Sequence, residues 1–330
     1  MSQTSPTLSS PTQGTPQHSW LRSAIDDYSL ALIFIVLFAV LSGTVPYFFS
    51  WDNIVSVALS VSQIGMVACT MMFCLASRDF DLSVGSTVAF AGVTCAMVAN
   101  ATGSVMLGMA ASLVAGAVIG FINGAIIAKL KINALITTLA MMEIVRGLAF
   151  LVSKGQAVGV SNEAFYVLGT NMLFGLPIPV WITVACFVAF GVMLNKTAYG
   201  RNTLAIGGNP EAVRLAGVAV DRTRIVIFLI QGVVAAFAGV ILASRITSGQ
   251  PNAGEGFELD VISACVLGGV SLAGGRATIS GVLVGVLIMG TVQNAMNLMN
   301  IDTFYQYVVR GAILLAAVLV DQLKNRQATH

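Results

Sequence analysis

Glu143 and Arg146 stand three residues apart in the nearly apolar stretch Lys129 to Ala149. On a helix that spacing puts them on one face, where opposite charges neutralise each other and lower the cost of burying either in a membrane. Arg310 lies in a second apolar stretch with no acid on its own turn, so its compensation must come from another helix, from water or from backbone carbonyls. Two chemistries fit these charges: polar links between helices, or the lining of a polar pathway. Asn294 and the further amides Gln63, Asn123, Gln293 and Asn297 fall in apolar runs of the same kind. A polar but mostly neutral lining is what the passage of an uncharged, hydroxyl-rich solute needs. Interhelical hydrogen bonding accounts for those amides equally well.

A second group of charges sits between apolar runs. In Ser77-Arg78-Asp79-Phe80-Asp81-Leu82-Ser83 the aspartates can cap the next helix at its positive end. The pattern Phe80-Asp81-Leu82-Ser83-Val84-Gly85-Ser86 returns as Phe257-Glu258-Leu259-Asp260-Val261-Ile262-Ser263, and Ile144-Val145-Arg146-Gly147 returns as Val308-Val309-Arg310-Gly311. The second acidic turn, Gly254 to Asp260, is expected on the opposite side of the membrane from the first. The two could then gate opposite ends of one pathway.

The elements that must position these residues follow from composition. Only 9% of the chain is charged and 57% is hydrophobic, against about 25% charged in soluble domains, which makes this an all-α polytopic membrane protein. Apolar runs long enough for spans fall near residues 29–46, 54–76, 83–100, 105–128, 132–152, 179–194, 225–243, 259–272, 279–299 and 304–320. That is about ten transmembrane helices. With the amino terminus inside, Arg22, Arg78, Lys129, Lys131, Lys196, Arg201, Arg214, Arg222, Arg224, Arg276, Lys324 and Arg326 are cytoplasmic, and only Lys154 and Arg245 fall outside. The repeated motifs are each separated by five spans, an odd number, which predicts two inverted five-helix repeats. Residues 1–24 read as a disordered cytoplasmic tail and 25–322 as one transmembrane domain. Within it, 195–224 is a cytoplasmic loop, and 323–330 is a short cytoplasmic tail.

That loop is the longest polar interruption in the chain. Asn209 can cap a helix whose first residue is Pro210, and Gly217 can end it in the left-handed conformation. Glu211 and Arg214 pair at i, i+3, while Ala212, Leu215 and Ala216 form a small apolar face. A helix of about two turns is marginal in water alone. Its apolar face therefore needs a partner or the membrane surface.

Other chemistry is excluded. The glycine cluster Gly268 to Arg276 lacks the lysine and hydroxyl of a phosphate-binding loop. The cysteines, Cys69, Cys74, Cys95, Cys186 and Cys265, lie singly in apolar runs and read as buried thiols, and the two histidines occupy opposite tails. No catalytic site, metal site, bound cofactor or nucleic-acid interface is expected. Gly116-x-x-x-Gly120 and Gly281-x-x-x-Gly285 are expected to let membrane helices approach closely.

Phe80 to Ser86, Gly207-Gly208-Asn209-Pro210-Glu211-Ala212-Val213-Arg214-Leu215-Ala216-Gly217 and Leu267-Gly268-Gly269-Val270-Ser271 resemble the permease subunits of bacterial ribose, xylose and arabinose ATP-binding-cassette importers, over about residues 25–322. Lys129 to Ala149, Ser244 to Pro251 and Asn294 to Leu298 lean toward the arabinose branch. The resemblance implies a homodimer in the bacterial inner membrane with both termini cytoplasmic. It implies a periplasmic sugar-binding protein docking outside, and a cytoplasmic ATPase carrying ATP and Mg docking inside. It also makes Asn209, Pro210, Glu211, Arg214, Leu215, Ala216 and Gly217 the coupling element. Asp79, Asp81, Ser83, Glu143, Arg146, Asn294 and Arg310 are the candidates for lining or gating the pathway. The competing expectations are an ion-coupled sugar transporter, in which Glu143 would carry the coupling ion, and a passive or purely structural membrane subunit.

Overall fold

A computed structural model describes residues 17–328, with side chains from 30 to 323. The helices are α1 Gln17–Thr44, α2 Trp51–Ala76, α3 Val84–Thr102, α4 Val105–Lys129, α5 Ala134–Ser153, α6 Val167–Thr170, α7 Ile178–Lys196, α8 Ala198–Gly208, α9 Pro210–Leu215, α10 Val220–Arg245, α11 Phe257–Leu267, α12 Ile279–Leu298 and α13 Thr303–Ala328. Their starts are written in short polar side chains. Ser50, Ser104, Asn133 and Thr278 each accept a backbone N–H from the first turn of α2, α4, α5 and α12 respectively. Among the described residues the strands are two-residue pieces, β1 Val158–Gly159, β2 Met172–Leu173, β3 Leu176–Pro177 and β4 Ser248–Gly249, with β1 antiparallel to β4 and β2 to β3.

Among the described residues, eight helices are long and apolar enough to cross a membrane, and α1 adds the shorter apolar stretch Leu30–Thr44. The chain is thus an all-α polytopic membrane protein. α2 is its central pillar: Met66 to Ala76 is buried on every side, as expected for a helix that is apolar all round. Around it the helices meet through glycine. Gly116 packs on Gly232 and Ala236, Gly120 on the backbone of Phe228, Gly281 on Gly268 and Gly285 on the Ala264 carbonyl. Both small-residue patterns therefore serve close helix approach. The five cysteines are free, four of them buried and Cys186 partly so.

Two expectations need correcting. The apolar run 259–272 is not a full span, because α11 has 11 residues, a rise of about 16 Å against a hydrocarbon core of about 30 Å. The remaining depth is covered by non-helical chain. Gly249 packs on Gly92 and Val93 of α3, and Gly254 packs on Gly85, so the segment descends along α3 before α11 begins. α11 then runs antiparallel to α12, Ala264 against Gly285 and Gly268 against Gly281. Non-helical backbone at such depth is tolerated only where protein buries it. Second, of the expected amino-terminal tail, residues 1–16 lie outside the described residues, while 17–24 begin α1. Within the expected carboxy-terminal tail, α13 extends to Ala328.

Candidate functional site

The short helix α9 stands where the polar loop placed it. Asn209 Oδ1 accepts the N–H groups of Glu211 and Ala212, both at 3.1 Å, and Pro210 occupies the first helical position. At the other end Gly217 has φ +84°. Its N–H reaches the Arg214 carbonyl at 3.0 Å, and the Val218 N–H reaches the Val213 carbonyl at 3.3 Å, the paired bonds that close a helix on a left-handed residue. Arg214 meets Glu211 at 3.2 Å, as its spacing predicts, and also Asp221 of α10 at 3.3 Å. Lys129 at the end of α4 approaches the same Asp221 at 3.5 Å. These polar contacts fasten α9 to α10.

No residue of α9 is buried, and Leu215 is 90% exposed. The apolar face made by Ala212, Leu215 and Ala216 is open. Behind α9 lies a cleft of about 500 Å³, walled by the 78–80 segment, the turn between α4 and α5, and the start of α10.

The acidic segment 77–83 runs from this cleft into the protein. Asp79 is buried, takes a hydrogen bond from the Ser77 hydroxyl at 3.2 Å, and lies 3.1 Å from Nε of Arg224. That approach is a charge contact rather than an aligned hydrogen bond. Burial pushes the Asp79 carboxyl up to about 6, against Arg224 and the Ser77 hydroxyl, which pull it down. Neither aspartate caps the first turn of α3, which has no side-chain cap; Asp81 instead braces the turn before it, its Oδ1 accepting both the backbone N–H of Ser83 at 2.9 Å and the Ser83 hydroxyl at 2.6 Å. Ser83 Oγ in turn accepts from Nδ2 of Asn123 at 2.9 Å, and the Thr138 hydroxyl donates to the Phe80 carbonyl at 3.2 Å. Two flanking spans, α4 and α5, thus pin this segment.

The second acidic turn does not lie at the far end of a pathway from the first. A side-chain carbon on Gly85 would strike both the Gly254 carbonyl and the Glu258 carboxylate. The first turns of α3 and α11 therefore touch, which overturns the expectation of gates at opposite ends. Gly254 and Gly256 adopt φ +69° and +75°, conformations glycine reaches without steric penalty.

The arginines also behave differently from their local spacing. Among the described residues Arg146 forms no ion pair with Glu143. Its Nη1 donates to the carbonyls of Pro251 at 2.8 Å and Ala253 at 2.7 Å, while Glu143 is exposed. Arg310 finds its acid on another helix, Nε lying 3.3 Å from Asp260 Oδ1 of α11, and its guanidinium sits 5.8 Å from the centre of the Tyr307 ring. Asn294 is buried in α12, and its Oδ1 has no partner. The structure thus brings Asp79, Asp81 and Ser83 into one segment, and Arg146 and Arg310 onto one turn. Glu143 and Asn294 join neither. Sequence reasoning missed Arg224 and Asn123 as the residues that hold the first segment. It also missed Asp260 as the acid for Arg310, although the run Gly254 to Asp260 carried the signal in its three acids.

Residues 53–318 match the family described as the branched-chain amino acid transport system permease component. The chain is 58% identical over 314 residues to the L-arabinose transport system permease protein of Escherichia coli K12, covering 95% of this chain and 96% of that one. It is 55% identical over 303 residues to the L-arabinose ABC transporter permease protein of Azospirillum brasilense, covering 92% and 89%. The ribose import permease protein of Escherichia coli K12 is 38% identical over 295 residues, covering 88% and 92%. No solved structure matches.

Proposed function

This chain belongs to the family of branched-chain amino acid transport system permease components, and from that premise we propose that it is the membrane-spanning permease of an ATP-binding-cassette importer for a pentose, L-arabinose. The observation that carries the reading is α9: a helix capped at both ends, anchored by Arg214 and Asp221, yet presenting Leu215 to solvent. An anchored helix with an uncovered apolar face suits a docking element for another protein. The likeness to arabinose permeases along nearly the whole chain supplies the cargo.

The chain catalyses nothing in this scheme. Hydrolysis of ATP with Mg belongs to a cytoplasmic ATPase seated on α9, a periplasmic binding protein delivers the sugar outside, and two copies of the permease form the pathway in the inner membrane with both termini cytoplasmic. Closure of the ATPase displaces α9, and α10 follows because Arg214 joins the two. The drive is the partners' differential affinity for the inward- and outward-open states, since a partner indifferent to state shifts nothing. The test is purification of the chain from its membrane in mild detergent, followed by an ATPase assay. Co-purification of an ATPase whose turnover rises with arabinose-loaded binding protein, and no longer rises in Gly217→Trp, supports the scheme. A chain that emerges alone and moves arabinose in vesicles on an ion gradient sinks it.

A further inference from the structure

Glu143 is the tenth of the twenty residues of α5 and is exposed. A carboxylate midway along a membrane-crossing helix does not face lipid without heavy cost, and such residues face a water-filled cavity or a polar partner. Its one close-spaced cation is engaged elsewhere, because Arg146 donates to the carbonyls of Pro251 and Ala253. On the same open side Ala140 is exposed and a side chain on Gly147 would meet nothing within 4 Å, while Leu139 and Ile144 beside them are large and exposed. Between those larger side chains, Ala140 and Gly147 leave a shallow notch in the surface beside the Glu143 carboxylate. The exposed stripe of α7 lacks such a carboxylate. Val184, Val188 and Val192 on α7 form an exposed stripe at helical spacing that carries no polar side chain.

The position of the notch gives it a use. α5 and α13 flank the 251–260 turn, held through Arg146 and Arg310, and the residue after the second arginine, Gly311, also faces open space. We propose that Glu143 is a sugar-contacting residue of the pathway, its carboxylate accepting hydrogen bonds from adjacent hydroxyls of the pentose as it passes over the Ala140–Gly147 notch. A carboxylate offers two acceptor oxygens and no donor when ionised, which matches a vicinal diol. The small neighbours leave room for a ring that a larger side chain would exclude. This assignment rests on the importer reading and names the contact within it.

The test uses the assembled importer in membrane vesicles. Ala140→Cys, Gly147→Cys and Val188→Cys are treated separately with a charged, water-soluble methanethiosulfonate, against a background of five native thiols of which four are buried. The two notch positions are expected to react at least tenfold faster than Val188→Cys, and L-arabinose with its binding protein and ATP is expected to slow them. Glu143→Leu is expected to lower ATP-driven uptake at least tenfold at unchanged membrane level, and Glu143→Gln, which keeps one acceptor oxygen, by less. Notch cysteines as inert as Val188→Cys, or unchanged uptake by Glu143→Leu, overturn the assignment even where wild-type uptake is ATP-driven. Should Glu143→Leu fail to reach the membrane, the cysteine variants, which keep Glu143, still decide. Wild-type uptake indifferent to ATP would instead defeat the importer reading, whatever the notch labelling shows.

Discussion

Arg146, from α5, holds the non-helical chain before α11 by the carbonyls of Pro251 and Ala253, and Arg310, from α13, holds the first turn of α11 by Asp260. The two contacts differ in what their loss leaves behind. Arg146→Met strands two carbonyls, at about 1–3 kcal/mol for each buried acceptor without a donor. Arg310→Met strands a buried carboxylate, at about 3–5 kcal/mol. The expected order of thermal stability in detergent is wild type, then Arg146→Met, then Arg310→Met, with Arg310→Met/Asp260→Asn recovering part of the loss. Equal melting temperatures for all four proteins would remove the clamp.

How much of this could be read beforehand depends on how local each cause was. The caps of α9 were legible because Asn209 and Gly217 act on backbone groups within four residues of themselves. The close packing at Gly120 and Gly285 was legible in kind but not in partner, since spacing marks a small face without saying which helix meets it. α11 was misjudged because Leu259 to Leu272 is mostly apolar, with only Asp260, Ser263 and Ser271 polar, and hydropathy does not register the glycines that break the helix. Gly269 at φ +81° ends it after Leu267. The Glu143–Arg146 pair failed for a tertiary reason. Two carbonyls brought up by a distant turn outcompete a neighbour three residues away, and nothing in the spacing announces them.

Gly85 is a tight point between α3 and the chain around the start of α11. A methyl group there meets the Gly254 carbonyl and the Glu258 carboxylate together, and backbone does not yield as a flexible side chain would. Gly85→Ala is expected to cost about 1–3 kcal/mol through overpacking and to reduce uptake. Gly43→Ala, where nothing lies within 4 Å, is expected to be silent in both measurements. A Gly85→Ala protein that melts with wild type would show that α3 and α11 do not meet there.

Gly217 separates conformation from contact. A side chain at this position would touch nothing within 4 Å, yet its φ is +84°, so Gly217→Ala charges only the backbone, about 1–2 kcal/mol. Such a change is expected to fray the end of α9 and weaken coupling to ATP hydrolysis while the bundle keeps its stability. Leu215→Asp is expected to do more to coupling and less to α9, because Leu215 is 90% exposed in the isolated chain. The check is binding-protein-stimulated ATPase turnover beside a melting curve. Coupling that survives Leu215→Asp unchanged argues that the ATPase rests elsewhere.

Asp79 gives the segment between α2 and α3 a pH signature whose sign follows from its environment. Burial raises its carboxyl from 3.8 to about 6 despite Arg224 and the Ser77 hydroxyl, so the folded protein holds this proton more tightly than the unfolded chain does. Its contribution to stability is then fully present below about pH 4 and is lost as pH rises through about 6, a change of at most about 3 kcal/mol at about 1.36 kcal/mol for each pH unit between the two values. Asp79→Asn cannot take up that proton and lacks this slope. The stability of wild type minus that of Asp79→Asn is therefore expected to fall between pH 4 and pH 7 and to level off above, as measured by denaturant unfolding in micelles. Parallel curves would mean that the Asp79 proton is held alike in both states, and a difference that rises with pH would mean that Arg224 outweighs burial.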